Sequence, residues 1–453
     1  MHFHSEIKRD ARDLLALAEH MPSGVSEFDC AELRDLIRET GNDWAKAERM
    51  LDRAALALRH FWLSSAHRPG DTTLKSPCEG ETTRIPGSGT VDFGYERGMD
   101  VSVLEDRGSN YLGHTSGWSS DLVLFRGGQA ALSSVLYFAM ERWGAAAPLK
   151  IKHVGAYFET KSLLNVWSPL LMQQDRPEAG EEVDILVAEP VYCDGQFHLL
   201  DTEALPGARR AVVLDTTIVG PDYDLSPWLR AESTACPVLI AFSSGLKLDQ
   251  AGLELANVGI VRIFARGAEQ SASCLAADLR RIRGLTGSGL TLDEMSALSA
   301  PWFMDRTYTG RYTRPLFDNN VALAASIGKN SAIFAARCHP SLANPGAVAP
   351  FCALQLREGP DIGAYHRLAA IVDDQAARRG LVIDKGGSFG FRGHRFEVIE
   401  PEHGSPFLRV ALGWRGGHSR AGLCDLFGEL AAFPSFKDLE NAMRPGRAAR
   451  SRR

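Results

Sequence analysis

Apolar residues recur at helical spacing through the first part of the chain. Leu14, Leu15, Leu17 and Ala18 form one face, and Leu33, Leu36 and Ile37 a second. Ala47, Met50, Leu51, Ala54 and Leu58 form a third, so residues 5–66 are predicted helical. Gly41, Asn42 and Asp43 separate the second stretch from the third, with Asp43 placed to cap the next helix. Residues 67–120 are rich in Gly, Ser, Thr, Pro and Asp and hold few apolar clusters, the composition of a long irregular segment.

From residue 121 the pattern changes. Short β-rich runs at 122–125, 151–154, 183–188, 211–214, 238–242 and 258–264 have the length of buried strands. Helical stretches at 130–143 and 271–283 lie among them. This alternation predicts an α/β fold, a mostly parallel central sheet with helices on both faces. A helix over 321–337 is expected next, then strands at 351–355, 381–383, 395–399 and 407–412. The expected organisation is an N-terminal helical extension with its irregular segment (1–120), a large α/β domain (121–315), a small C-terminal α+β domain (316–443) and a basic tail (444–453).

Composition narrows the classes. A chain of 453 residues, 45% of them hydrophobic, can fill two or three cores. Its net charge of −6 offers no basic surplus for a nucleic-acid partner. Arg444, Arg447, Arg450, Arg452 and Arg453 read as a solvated end. No apolar run is long enough for a membrane span, and residues 1–9 are polar rather than signal-like, so no membrane partner is expected. The eight cysteines form no C-x-x-C pair, which argues for neither a disulfide framework nor zinc. No metal-ligand spacing surrounds His403 or His418 either. A reducing cytoplasm is the expected home.

Three segments carry candidate chemistry. Lys247 follows the predicted strand 238–242 through Ser243, Ser244, Gly245 and Leu246. Ligands of open α/β sheets bind outside the carboxyl ends of the strands, and lysine condenses with an aldehyde. Asp215 ends the run 211–214 and is followed by Thr216 and Thr217. A carboxylate there can pair with a protonated pyridine nitrogen. Gly127 and Gly128 precede Gln129 and a helix, whose N-terminal N–H groups suit a phosphate.

In this order the segments resemble fold-type-I pyridoxal-phosphate (PLP) enzymes, and among them the Cys/Met-metabolism group of cystathionine synthases and lyases and methionine γ-lyase. Gly127-Gly128-Gln129-Ala130-Ala131-Leu132 is similar to that group's S-G-M-A-A-[IL] turn. Ala156-Tyr157-Phe158-Glu159-Thr160 resembles Y-G-G-T, and Glu189-Pro190 the start of E-[ST]-P-x-N-P. Asp215-Thr216-Thr217 resembles D-N-T, and Ser244-Gly245-Leu246-Lys247 resembles S-[AV]-T-K. Gly387-Ser388-Phe389-Gly390 is similar to S-L-G-G, and Leu408-Arg409-Val410-Ala411-Leu412-Gly413 to [IVL]-R-[LIV]-S-[VI]-G. The asparagine of E-[ST]-P-x-N-P is missing, Leu246 replaces the threonine before the lysine, and no Y-S-R-x-x-N-P element is recognisable. This is the pattern of a divergent member.

The resemblance implies the rest. Lys247 would carry PLP as a Schiff base and act as general base. Asp215 would serve the pyridine nitrogen, Thr217 would also bind the cofactor, and Tyr157 would stack on the ring as a catalytic and cofactor-binding residue. Gly128, Gln129 and Ser244 would hold the phosphate. Arg409, with Ser388, would bind the carboxylate of an amino-acid substrate. A homodimer or dimer of dimers is implied, with Arg107, Tyr111 and His114 as candidates for contacts to a neighbouring subunit. The implied reaction is elimination or replacement at the β or γ carbon. Transamination and decarboxylation share its early steps. A non-enzymatic binding protein on the same scaffold is the alternative from another class. A Rossmann-type nucleotide enzyme lacks its G-x-G-x-x-G here.

Overall fold

The structure is a computed structural model. It describes residues 2–20, 30–38, 42–72, 74–76, 78, 80–85, 89–92, 95–113, 115–144, 147–169, 171–173, 182–202, 205–230, 236–267, 271–359, 361–401 and 404–443. The arginine-rich tail, His114 and His403 lie outside the described residues. Contacts divide the chain into two compact units. One comprises residues 62–192 and 199–310; the other comprises 1–61, 193–198 and 311–453.

The first unit is built on a seven-stranded sheet. Across it the order is Ser119–Phe125, Gly259–Ala265, Val238–Ser244, Ala208–Asp215, Val183–Ala188, Leu149–Val154 and Leu171–Gln173. Gly259–Ala265 runs antiparallel to both neighbours, and every other pairing between adjacent strands is parallel. Alternate residues face opposite layers because a strand's side chains alternate. Val123, Phe125, Val187, Val213, Ile240, Phe242 and Ile263 pack with Leu132, Val135 and Leu136 of helix Gly128–Trp143 and Leu275 and Leu279 of helix Ala272–Thr286. On the other face Leu186, Val212, Leu214, Leu239 and Ala241 pack with Trp228 and Leu229. Leu122, Leu124 and Ile260 meet Leu290, Leu298 and Phe303. Each such side chain contributes roughly 1.5–3 kcal/mol when removed from water. The strands are apolar on both faces because both faces are covered, as the runs predict.

In the second unit a four-stranded sheet has the order Cys352–Leu354, Phe407–Ala411, Arg395–Ile399, Asp384–Lys385. The N-terminal helix His2–Glu19 belongs to this unit. Its buried stripe, Ile7, Ala11, Leu14 and Leu17, repeats at helical spacing. On the same helix Asp10 is buried and accepts from two buried arginines. Arg392 approaches it at 3.2 and 2.6 Å, and Arg415 at 2.8 Å. Arg415 also reaches Asp52 at 2.9 Å and donates to the Glu48 carbonyl at 3.1 Å. Arg392 lies over the Trp414 ring, 4.6 Å from its centroid. Burial alone would raise the Asp10 pKa, but the charges and hydrogen bonds of Arg392 and Arg415 outweigh it and hold the carboxyl below its ordinary value.

Three expectations need adjusting. The helix expected at 321–337 is Arg306–Ile327. It starts early because the Asp305 carboxylate accepts from Tyr308 N at 2.6 Å, and it stops before Gly328, whose φ of 70° suits glycine. The strand expected at 381–383 is displaced to Asp384–Lys385, because Val382 N is drawn to the Ser419 hydroxyl instead, at 2.7 Å. Residues 67–120 also hold more structure than their composition suggests. The helix Trp44–Thr72 runs into them, Thr82–Ile85 pairs with Gly89–Asp92, and Ser102–Arg107 is helical. Among the described residues no helix is long and apolar enough to cross a membrane.

Replacing Asp10 with Ala removes the fully buried carboxylate shared by two buried guanidinium groups, leaving Arg392 with Asp13 at 2.8 Å and Arg415 with Asp52 at 2.9 Å. We expect a loss of about 3–5 kcal/mol in denaturant unfolding. A loss below about 1 kcal/mol would show that the cluster is not holding the helix.

Candidate active site

The strand Gly259–Ala265 explains why three separate segments meet. Its first residue, Gly259, pairs with Phe125 on one side and with Ser244 on the other. The carboxyl ends of Ser119–Phe125 and Val238–Ser244 therefore lie at the same edge of the sheet. A Cβ on Gly259 would sit 2.2 Å from the Gly127 carbonyl oxygen, so only glycine permits this approach. Gly128 is also close to Ser244, where an added Cβ would lie 3.4 Å from the serine Cβ. The glycine turn, the start of helix Gly128–Trp143 and the Ser244 side chain thus share one corner. Gly128 and Gln129 open this helix half-buried, with N–H groups that have no partner within the helix.

Asp215 enters from the next strand. Parallel pairing sets it opposite Phe242, and Thr217 closes the gap. The Thr217 hydroxyl accepts from Ser244 N at 3.0 Å, while Thr217 N donates to the Asp215 carboxylate at 2.9 Å. Thr216 donates its hydroxyl to the Phe242 carbonyl at 3.1 Å and accepts from buried Arg262 at 3.1 Å. Asp215 and Ser244 are therefore tied through one threonine.

The carboxylate of Asp215 is under electrostatic stress. Burial and then the like charge of Glu189 raise its pKa from 3.8 to about 7, against the lowering effects of Thr217 and His153. Glu189 follows the neighbouring strand Val183–Ala188, and its Oε1 accepts from Tyr157 N at 2.9 Å. His153 Nε2 lies 3.5 Å from Glu189 and makes no hydrogen bond. A Cβ on Gly155 would fall 2.2 Å from the same Glu189 oxygen, so this glycine makes room for the carboxylate. The motif that contains Glu189 assigns it no charge effect, and no motif contains His153. The signal for His153 was its place near the carboxyl end of strand Leu149–Val154.

Lys247 lies in the turn after Ser244, half-buried, with its N–H donating to the Ser244 carbonyl at 3.3 Å. Gly245 is required there, because a Cβ would meet Val258 at 2.8 Å and Ile260 at 2.9 Å. The loop beyond takes unfavourable backbone angles, with φ of 55° at Ala251 and 46° at Glu254. Buried Gln250 holds it in place. Its amide donates to the carbonyls of Gly245 (3.0 Å) and Ala256 (2.7 Å) and accepts from Leu255 N (2.6 Å) and Ala256 N (3.0 Å). The sequence carried no motif for this residue; a lone glutamine in an apolar loop was the available sign.

Tyr157 is not a core aromatic. It is 40% exposed, its backbone is pinned to Glu189, and its hydroxyl donates to Glu159 at 2.6 Å. Arg409 and Ser388 belong to the other unit. There the Arg409 guanidinium binds the Glu397 carboxylate through Nε, at 2.7 Å, and through a terminal nitrogen. Ser388 N donates to the same carboxylate at 2.9 Å.

These groups fit the cofactor that the motifs imply. An unstable buried carboxylate suits a cationic ring nitrogen, the Gly128 corner suits a phosphate, and Lys247 supplies the amine. Among the described residues no group of three His, Cys, Asp or Glu side chains could hold a metal ion. A cavity of about 670 Å³ lined by Ser134, Tyr137, Ile282 and Ser288 shares no residue with this site.

Two predictions follow from the stressed carboxylate and the pinned loop. Because the folded-state pKa of Asp215 is raised, the folded chain keeps that proton to higher pH than the unfolded chain does. Stability without cofactor is then fullest below pH 3.8 and falls as pH rises towards about 7. Asp215→Asn should remove this loss. Its stability advantage should grow from pH 5 to pH 8, reaching up to about 4 kcal/mol, in unfolding of the cofactor-free protein; parallel pH profiles would refute it. Gln250→Ala should cost about 2–4 kcal/mol by leaving buried N–H and C=O groups unpaired, read in the same unfolding assay.

No family profile and no curated protein matches the sequence. Solved structures do match. A methionine gamma lyase from Micromonospora echinospora is 16% identical over 76% of this chain and 89% of its own, with a TM-score of 0.51. The cystathionine gamma synthase from Xanthomonas oryzae pv. oryzae, in complex with aminoacrylate and cysteine, is 14% identical over 82% of this chain and 99% of its own, also at 0.51. Cystathionine gamma-lyase from yeast is 11% identical over 82% and 98%, again at 0.51. At such identities the likeness establishes architecture, and the architecture is the one the motifs implied: this chain has the fold-type-I α/β fold of the cystathionine enzymes and methionine gamma lyase.

Proposed function

We propose that this protein is a PLP-dependent enzyme acting on an amino-acid substrate by elimination or replacement at the β or γ carbon. The observation that carries the reading is the shared corner of Ser244, Gly128 and Asp215, with Lys247 in the turn leading out of it. Apart from a group with an aldehyde, a cationic ring and an anionic tail, little would need those four together. When bound, the cofactor supplies an electron sink conjugated to the substrate α-carbon.

The chain's own residues do the rest. Lys247 Nζ would provide the covalent attachment and would serve as the base that takes the α-proton. Asp215 stabilises positive charge on the ring nitrogen, and the pairing relieves its own burial and the repulsion from Glu189. The N–H groups of Gly128 and Gln129, with the Ser244 hydroxyl, hold the anionic tail. Thr217 fixes Asp215 relative to Ser244. The exposed Tyr157 ring is available to stack on the cofactor. Arg409 and Ser388 recognise the carboxyl end of the substrate. The protein acts as a homodimer or dimer of dimers.

Elimination or replacement is favoured over transamination or decarboxylation by the Cys/Met-like motifs and by the fold neighbours, one of which was solved with aminoacrylate and cysteine. Incubation with PLP should give wild-type protein a visible absorbance band that Lys247→Ala lacks. An unchanged spectrum in that variant would overturn the assignment of Lys247.

A further inference from the structure

The carboxyl edge of the large sheet carries two acidic residues on adjacent strand ends. Glu189 and Asp215, with their neighbours His153, Gly155 and Tyr157, all belong to the unit of residues 62–192 and 199–310. Ala188 pairs with Leu214 in the parallel ladder, so Glu189 and Asp215 reach the next rung together and leave the same face. Neighbouring strands lie about 4.8 Å apart, which sets the stems of the two side chains next to each other. On the other side of Glu189 the rung is filled by Gly155, because Val154 pairs with Ala188 and the Glu189 N–H continues the ladder to the Val154 carbonyl at 3.0 Å. The Glu189 carboxylate occupies the room that glycine leaves, where a Cβ would lie 2.2 Å from Oε1. There Oε1 accepts from Tyr157 N at 2.9 Å. His153, two residues before Gly155 on the same face, brings Nε2 to 3.5 Å from that oxygen and makes no hydrogen bond through it. Accepting one N–H needs only a neutral oxygen, which a glutamine would supply. The charge of buried Glu189 is not needed for that bond, and it bears on Asp215, whose pKa it helps to raise.

We propose that Glu189 is a specificity-determining residue of the cofactor seat: beside Asp215 it forms a two-carboxylate wall that selects a ring with positive charge at its nitrogen over the same ring without the nitrogen. The inference rests on the PLP reading and extends it from the presence of a seat to what the seat discriminates. Asp215 alone offers one negative charge to the ring nitrogen. Glu189 adds a second from the next strand, and Coulomb attraction falls only as the inverse of distance, so a cation held at Asp215 feels both. A ring with C–H in place of N gains nothing from either carboxylate and leaves two like charges together in a buried corner. Discrimination therefore comes from the penalty on the wrong guest as well as from attraction for the right one. The bond to Tyr157 N keeps Glu189 at its own strand end, so it adds charge without displacing Asp215.

The test titrates cofactor-free protein with PLP and with its deaza analogue, in which C–H replaces the ring nitrogen. It reads the visible band of each and the rise each produces in the unfolding midpoint. Wild type should bind PLP at least about a hundredfold more tightly than the analogue. In Glu189→Gln, which keeps an oxygen for Tyr157 N, affinity for PLP should fall on the order of tenfold while affinity for the analogue stays within about twofold. Glu189→Ala is a second variant without the charge, and the ratio of the two affinities should fall in it by a similar factor, since damage to the fold weakens both ligands alike. An unchanged ratio in these variants, through no loss or through equal loss for both ligands, overturns the inference while leaving the PLP reading intact. Parity between the two ligands in wild type overturns it without any variant. Failure of wild type to acquire a visible band with PLP overturns the PLP reading and this inference with it.

Discussion

The candidate site depends on the hydrogen-bond register between Ala208–Asp215 and Val238–Ser244. Parallel pairing matches Leu239 with Val212 and Phe242 with Asp215. That match brings Thr217 level with Ser244 N, and its hydroxyl joins the two strand ends. A slip of one residue would turn Val213 and Ile240 from one packed face to the other and carry Asp215 off the edge. Both faces of the sheet are apolar and covered, so the core itself forbids the slip. Chemistry at the edge is thus positioned by packing in the middle.

Around that frame two carboxylates meet in one corner at a cost to stability. Asp215, Glu189 and His153 lie at or near the ends of three adjacent strands, and two carboxylates in one buried corner raise the pKa of Asp215. A cation beside Asp215 reverses the sign of that environment. The loop after Lys247 is similar in spirit: its unfavourable angles at Ala251 and Glu254 persist because the hydrogen bonds of Gln250 outweigh them. Local strain and charge repulsion near a strand edge are features expected where structure serves binding.

The unit containing the N-terminal helices uses charge differently. Asp10 lies between Arg392 and Arg415, fully satisfied and buried, and joins the first helix to segments 382 and 405 residues away in the chain. Removing one partner is costly, because the others lose their water as well as their pairing. Arg409 and Glu397 form a second pair, less buried and held by strand register. Arginine in this unit is therefore matched to carboxylates of the same chain at both places, once in the core and once on the sheet.

Strand positions in the large sheet were legible from the sequence, because a strand buried on both faces needs an apolar run and each run is local. The order of glycine turn, aspartate and lysine was legible too, since each stands directly after its own strand. The edge strand Leu171–Gln173 was missed; it is short and half-exposed, and leaves no apolar run. Helix limits at Arg306 and Gly328 turned on a cap and a backbone angle that periodicity does not register. Only the tertiary structure decided which charges meet. Glu189 beside Asp215, Asp10 between two arginines and Glu397 opposite Arg409 all follow from strand order and register, and Coulomb interactions depend on distance in space rather than along the chain.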